Sequence, residues 1–176
     1  RRLADADVDY LAANIPGEHR VLLGFLKTGV DETSPDTWRP IYGHAEFILG
    51  PEAAHINISG KSGLATKTSY ALFLCMTILA WANKHEKKVA IILFNVRRED
   101  FLRLHELPSS WDDAEKKIKE WAVKLGNPRL GERAIAIWRK AREEGVDPVG
   151  LKPNVQYFTY PSDPYKTLMK SPSYYI

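Results

Sequence analysis

From Tyr70 to Ala82 the chain runs thirteen residues with one polar interruption, Thr77. The stretch is too short to cross a bilayer, which takes about 20 residues. Leu72, Cys75, Met76, Leu79 and Ala82 keep helical spacing, and the remaining faces are apolar too. A helix that is apolar all round belongs in an interior. Before it stands a short β-branched segment, Ala54-His-Ile-Asn-Ile-Ser59, ending at Gly60. After a polar exit, Asn83 to Lys88, comes a near-continuous apolar run, Val89-Ala-Ile-Ile-Leu-Phe-Asn-Val96. Such runs are typical of a parallel strand covered on both faces. Strand, buried helix and buried strand make a βαβ unit, with a right-handed crossover expected. The fold class read from this is α/β.

Other segments follow local rules. Asp7 to Asn14 reads as a short helix. Arg20-Val-Leu-Leu-Gly-Phe-Leu26, Arg39-Pro-Ile-Tyr-Gly43 and Ala45-Glu-Phe-Ile-Leu49 read as short strands, separated by turn chemistry from Thr28 to Pro40. Gly50-Pro51 is a breaker pair and the expected boundary between a β-rich segment, 1–50, and the rest, 51–176. Ser109 or Ser110 caps an expected helix whose first turn carries Asp112 and Asp113. Its apolar stripe is Trp111, Ala114, Ile118, Trp121, Ala122 and Leu125, and Gly126 stops it. Glu132 to Glu144 is a second amphipathic helix, stopped by Gly145. Asn154 to Tyr160 reads as a third strand, ended by Pro161.

Composition adds limits. With 176 residues, 44% hydrophobic and 27% charged, the chain is of ordinary globular type. The first residues carry no apolar core like that of a signal peptide. One cysteine, Cys75, rules out a disulfide framework within a monomer and suits a reducing cytosol, so a cytoplasmic location is expected, without membrane partners. Net charge is +3, divided as −4 over residues 1–60 and +7 over 61–176. Lys116, Lys117, Lys119, Lys124, Arg129, Arg133, Arg139, Lys140 and Arg142 offer a basic face to duplex DNA. Interleaved acids favour a solvated surface instead. His19, His44, His55, His85 and His105 include no i, i+4 pair, so no metal site is expected from them. A structural role for His55 and an inert core role for Cys75 are the plainer readings.

The segment that carries chemistry is Ser59-Gly-Lys-Ser-Gly-Leu-Ala-Thr-Lys-Thr-Ser69, between the expected strand and the apolar helix. Polyphosphate sites use backbone N–H groups of a small-residue loop and the positive end of a helix. A lysine opening the helix neutralises the β- and γ-phosphates, and the adjacent hydroxyl ligates Mg²⁺. Lys67 fits the lysine and Thr68 the Mg²⁺ ligand. Gly60, Ser62, Gly63, Leu64, Ala65, Thr66, Lys67, Thr68 and Ser69 form the binding loop, with Lys67 as the catalytic candidate. The motif is irregular: the span from Gly60 to Lys67 is one residue longer than G-x-x-x-x-G-K-[ST], and Thr66 stands where a glycine precedes the lysine. Taking Gly60-Lys61-Ser62 as the motif instead leaves almost no loop after the strand. A plain strand–turn–helix connection stays open beside the phosphate-binding reading.

Gly50-Pro-Glu-Ala-Ala-His-Ile-Asn-Ile-Ser-Gly60, Lys67-Thr68-Ser69 opening the apolar helix, and Phe94-Asn-Val-Arg-Arg-Glu-Asp-Phe-Leu102 resemble the start of the ATPase core in HerA-type proteins of the HerA/FtsK branch. Tyr157-Phe158 with Tyr160-Pro161 resembles the third core strand, and residues 20–50 resemble the end of the small β-barrel that precedes such cores. The resemblance implies a P-loop NTPase (RecA/HerA-like) fold with a parallel sheet, here an incomplete core over 51–176 with a helical insertion at about 109–145. It implies ATP and Mg²⁺ as cofactors and a ring-forming, usually hexameric, translocase or helicase that moves on duplex DNA, often beside a nuclease. Asn95 stands where that family often has Asp. No apolar strand ends in the Asp needed to hold Mg²⁺ and activate water; Glu99-Asp100 follows Arg97-Arg98 in a turn. The rival reading is a nucleotide-binding or degenerate P-loop scaffold module that assembles with a partner nuclease without hydrolysing ATP itself. A small nucleotide kinase would need a lid and an acceptor site, which nothing here suggests.

Overall fold

A computed structural model of the chain describes residues 5–27, 37–50, 54–60, 66–94, 104–106, 108–151, 154–159 and 173–174. The elements are α1 (Asp5–Ala13), a 3-10 turn (Gly17–His19), β1 (Arg20–Lys27), β2 (Trp38–His44), α2 (Ala45–Leu49), α3 (Thr66–Lys84), α4 (Trp111–Lys124), α5 (Pro128–Glu143), α6 (Pro148–Leu151), β3 (Phe158–Thr159) and β4 (Ser173–Tyr174).

β1 and β2 form an antiparallel ribbon, from Arg20 opposite His44 to Lys27 opposite Trp38. The register shifts between Leu22 and Gly24, leaving Leu23 as the extra residue of a bulge. Gly24 has φ +152, a conformation that side chains resist and glycine accepts. The ribbon is apolar on both faces. Leu22 packs with Phe73, Ala80, Ala141 and Val146, while Val21 packs with Ala45, Leu74 and Ile78. α3 supplies residues to both clusters, so it is the shared element of the core.

The apolar stretch does form a helix, and it runs nineteen residues from Thr66 to Lys84. Phe73, Leu74, Ile78, Ala80 and Ala82 are buried. Thr77, 1% exposed, satisfies its hydroxyl by donating to the Leu74 carbonyl at 2.9 Å. The exit has no glycine. Glu86 takes φ +53, and the Lys87 amide reaches back to the Ala82 carbonyl at 2.8 Å.

Ala45–Leu49 is a helix, not the expected strand. His44 caps it, accepting from the Glu46 amide, and Ala45 and Ile48 are drawn into the Val21 cluster. Five residues are too few to choose between periods of 2 and 3.6. Residues 54–60 and 87–94 flank α3 in the order a βαβ unit requires. Among the described residues neither belongs to a ladder. Val89 and Ile91 pack against the Val21 cluster, but Ile92 and Phe94 are 78% and 82% exposed, so the run is covered on one side only. The parallel pairing described is that of β3 with β4, two residues each.

α4 and α5 form the expected helical pair. The Ser110 hydroxyl accepts from the Asp113 amide, and the Asp113 carboxylate accepts from the Ser109 amide, both at 3.2 Å. The Lys117 ammonium, with the Ser109 amide, holds the Asp113 carboxyl below the usual range. α5 starts at Pro128, four residues before the apolar pattern predicts: Asn127 caps it and proline suits the first helical position. Gly126 (φ +67) and Gly145 (φ +84) end the two helices, as their positions predict. Ala114 and Ala122 of the α4 stripe are buried, while Trp121 and Leu125, at the far end, are about half exposed.

Candidate functional site

Residues 61–65 of the loop, including Ser62, Gly63, Leu64 and Ala65, lie outside the described residues, as do Asn95, Arg97, Arg98, Glu99 and Asp100. The two ends of the loop are described. Gly60 is exposed at one end, and Thr66, Lys67, Thr68 and Ser69 form the first turn of α3 at the other. Lys67 and Ser69 are exposed and Thr68 is half-buried.

One bond joins the ends. The Lys67 ammonium donates to the Gly60 carbonyl at 3.1 Å. The first turn of α3 carries no acidic residue. The helix N-terminus therefore places its partial positive charge beside a lysine, with no carboxylate in its own first turn. One residue on, the Tyr70 hydroxyl donates to the Leu23 carbonyl in the β1 bulge at 3.0 Å, which anchors the start of α3 to the ribbon. Burial pushes the Tyr70 phenol up, so it stays a neutral donor. Before the loop, the Ser59 hydroxyl donates to the Asn57 side-chain oxygen at 3.1 Å. The described ends of the loop thus carry one ammonium, held on the Gly60 carbonyl, and the half-buried Thr68.

The other candidates separate. Cys75 is half-buried and burial pushes its thiol up, away from thiolate chemistry. Four of the nine basic residues of 116–142 are engaged: Lys117 with Asp113, Arg139 bidentate with Glu115, Lys140 with Glu143, and Arg142 over the Trp111 ring. Those partners turn part of the basic face toward the protein's own acids. Among the described residues no group of three or more His, Cys, Asp or Glu is arranged to hold a metal ion. Nor is any described helix long and apolar enough to cross a membrane.

Two arrangements have no sequence signal. His19 and His44 stack with centroids 4.6 Å apart, beside a groove of about 480 Å³ lined by Glu18, Glu46, Trp81, His85 and Lys87. His105 meets the Tyr157 hydroxyl at 2.9 Å across 52 residues. Each pairs residues far apart in sequence, where spacing carries no information. No family model, curated protein or solved structure matches the chain.

Proposed function

We propose that residues 60–69 form a phosphate-binding loop for ATP with Mg²⁺, and that the chain is the ATP-binding segment of a HerA-like, ATP-driven DNA translocase or helicase motor. The observation that supports the nucleotide reading is the closure of the loop by Lys67 on Gly60, at the N-terminus of a long helix free of acid in its first turn. An incoming phosphate would take the Lys67 ammonium from the Gly60 carbonyl. That exchanges one exposed hydrogen bond to a neutral acceptor for one between opposite charges. The α3 amides add donors at a first turn that carries no acidic residue. Thr68 would ligate the Mg²⁺ that neutralises the β- and γ-phosphates.

The motor reading rests on the resemblance of residues 50–60, 67–69 and 94–102 to HerA-type cores. Duplex DNA, a ring of like subunits and a nuclease partner belong to the same proposal, as does a cytoplasmic site of action. Calorimetry with ATP·Mg on this chain and on Lys67→Ala tests its base. Micromolar binding that the variant loses supports the loop. Equal affinity in both proteins overturns it. No binding by the parent chain would replace the nucleotide reading with that of a scaffold carrying a degenerate loop.

A further inference from the structure

Two exposed apolar faces of the chain carry opposite charge. The first is on α1, which packs on β2 with Val8 buried. Tyr10 and Leu11 are left outside, 69% and 61% exposed, beside the exposed Asp9. Residues 1–60, to which α1 belongs, sum to −4.

The second face is at the tip of the α4–α5 pair, which has two flanks. On one, Glu115 and Lys119 of α4 line a groove with Glu132, Ala136 and Arg139 of α5, and Arg139 bridges the helices to Glu115. The other flank is apolar. On α5 it is the stripe Leu130, Ala134, Ile137 and Ala141, whose last two members pack into the Leu22 cluster. On α4 helical spacing turns Trp121 about 120° or more from both Glu115 and Lys119, and sets Leu125 one turn beyond it. The core supports the C-terminal half of the α5 stripe, and at the tip Trp121, Leu125 and Leu130 stay exposed. Lys124 follows Trp121 by three positions and Arg133 follows Leu130 by three, so both border this face. Among the described residues no hydrogen bond or ion pair engages either side chain. Glu120 is the carboxylate on the same border. Residues 61–176 sum to +7.

We propose that the α4–α5 tip of one copy of this chain receives α1 of a second copy, with Tyr10 and Leu11 on Trp121, Leu125 and Leu130, and Asp9 toward the Lys124–Arg133 border. Both faces stay exposed within one copy, so neither covers the other there. Charge selects the pairing. Tip on tip sets Lys124 and Arg133 against themselves, and α1 on α1 does the same with Asp9. Only α1 on tip joins opposite signs. Two different surfaces meet, so the contact is heterologous and copies add head to tail; a ring of like subunits needs a contact of this kind. The contact uses neither the 60–69 loop nor nucleotide, so ATP·Mg calorimetry does not decide it. A nine-residue helix seated on two helix ends is a small interface, in the class of weak associations.

Sedimentation equilibrium of the full chain without nucleotide, up to about 300 μM, covers the range of such contacts. The weight-average mass of the parent should rise with concentration, and less so when NaCl is raised from about 0.05 M to about 0.5 M. Asp9→Lys, and Lys124→Glu with Arg133→Glu, should each associate about tenfold more weakly. Their equimolar mixture should associate again, because each brings the face that the other has reversed. A parent that stays monomeric overturns the proposal and leaves the tip to an acidic helix of another protein. Undiminished association of Asp9→Lys overturns it in favour of tip on tip, and undiminished association of the double variant in favour of α1 on α1. A mixture no stronger than its components overturns it as well. Should a reversed variant lose its thermal transition, Asp9→Asn or Arg133→Gln replaces it. Weaker association of that variant then supports the contact, and association equal to the parent's overturns it.

Discussion

The Tyr42 hydroxyl of β2 donates to the carboxylate of Glu144, the residue after α5, across 102 positions of sequence. The Arg20 guanidinium stands 5.7 Å from the centre of the same ring. The ribbon and the helical pair are thereby joined by a polar contact as well as by the Leu22–Ala141 core. Burial and the Glu144 carboxylate both hold the Tyr42 phenol well above its ordinary range.

Tyr42→Phe should therefore cost about 1 kcal/mol at neutral pH, the worth of a partly exposed hydrogen bond to a charged acceptor. The native state keeps the phenolic proton where the unfolded chain releases it, near pH 10. Stability from this group is complete below that pH and is lost as pH rises above it. Urea unfolding from pH 8 to 11 should show a steeper alkaline decline in the parent than in Tyr42→Phe. Parallel declines would remove Tyr42 from the alkaline response.

Lys67→Ala should unfold within about 0.5 kcal/mol of the parent, because the Lys67–Gly60 bond is exposed at the surface. The same denaturant series measures it. An unchanged midpoint means that any loss of nucleotide binding in this variant comes from the loop and not from the fold.

Glu86 bears a left-handed conformation without being glycine. Glu86→Gly should stabilise the protein by about 1 kcal/mol by relieving that strain. Gly145→Ala should do the reverse by a similar amount, since its φ of +84 ends α5. Thermal midpoints of the two variants should move in opposite directions.

Gly131 of α5 packs directly against α4. A Cβ there would come within 2.8 Å of the Ala122 Cβ, and Ala122 is fully buried. Gly131→Val should force the helices apart at a cost of about 1–3 kcal/mol. Equilibrium unfolding measures the loss, and a variant as stable as the parent would show that the crossing is loose.

Much of the fold is legible locally. Ser110, Asn127 and Pro128 start helices, and Gly126 and Gly145 end them, through bonds that span three to five residues. The ribbon strands and the apolar α3 follow from runs that hold one period long enough to be read. The position of Lys67 at the start of α3 is local in the same way, and so is the absence of acid from that turn. Tertiary structure decided what depends on which segments meet. Ala45–Leu49 is a helix because His44 caps it and the Val21 cluster receives Ala45 and Ile48. The Val89–Phe94 run is half covered because α3 and the ribbon supply one face to pack on, leaving Ile92 and Phe94 in solvent. His19 with His44, and Tyr42 with Glu144, are pairs whose partners lie 25 and 102 residues apart. A hydrogen bond or a ring contact acts over a few ångströms. Sequence alone reports it when those ångströms are one helical turn, and the folded chain must supply it when they are not.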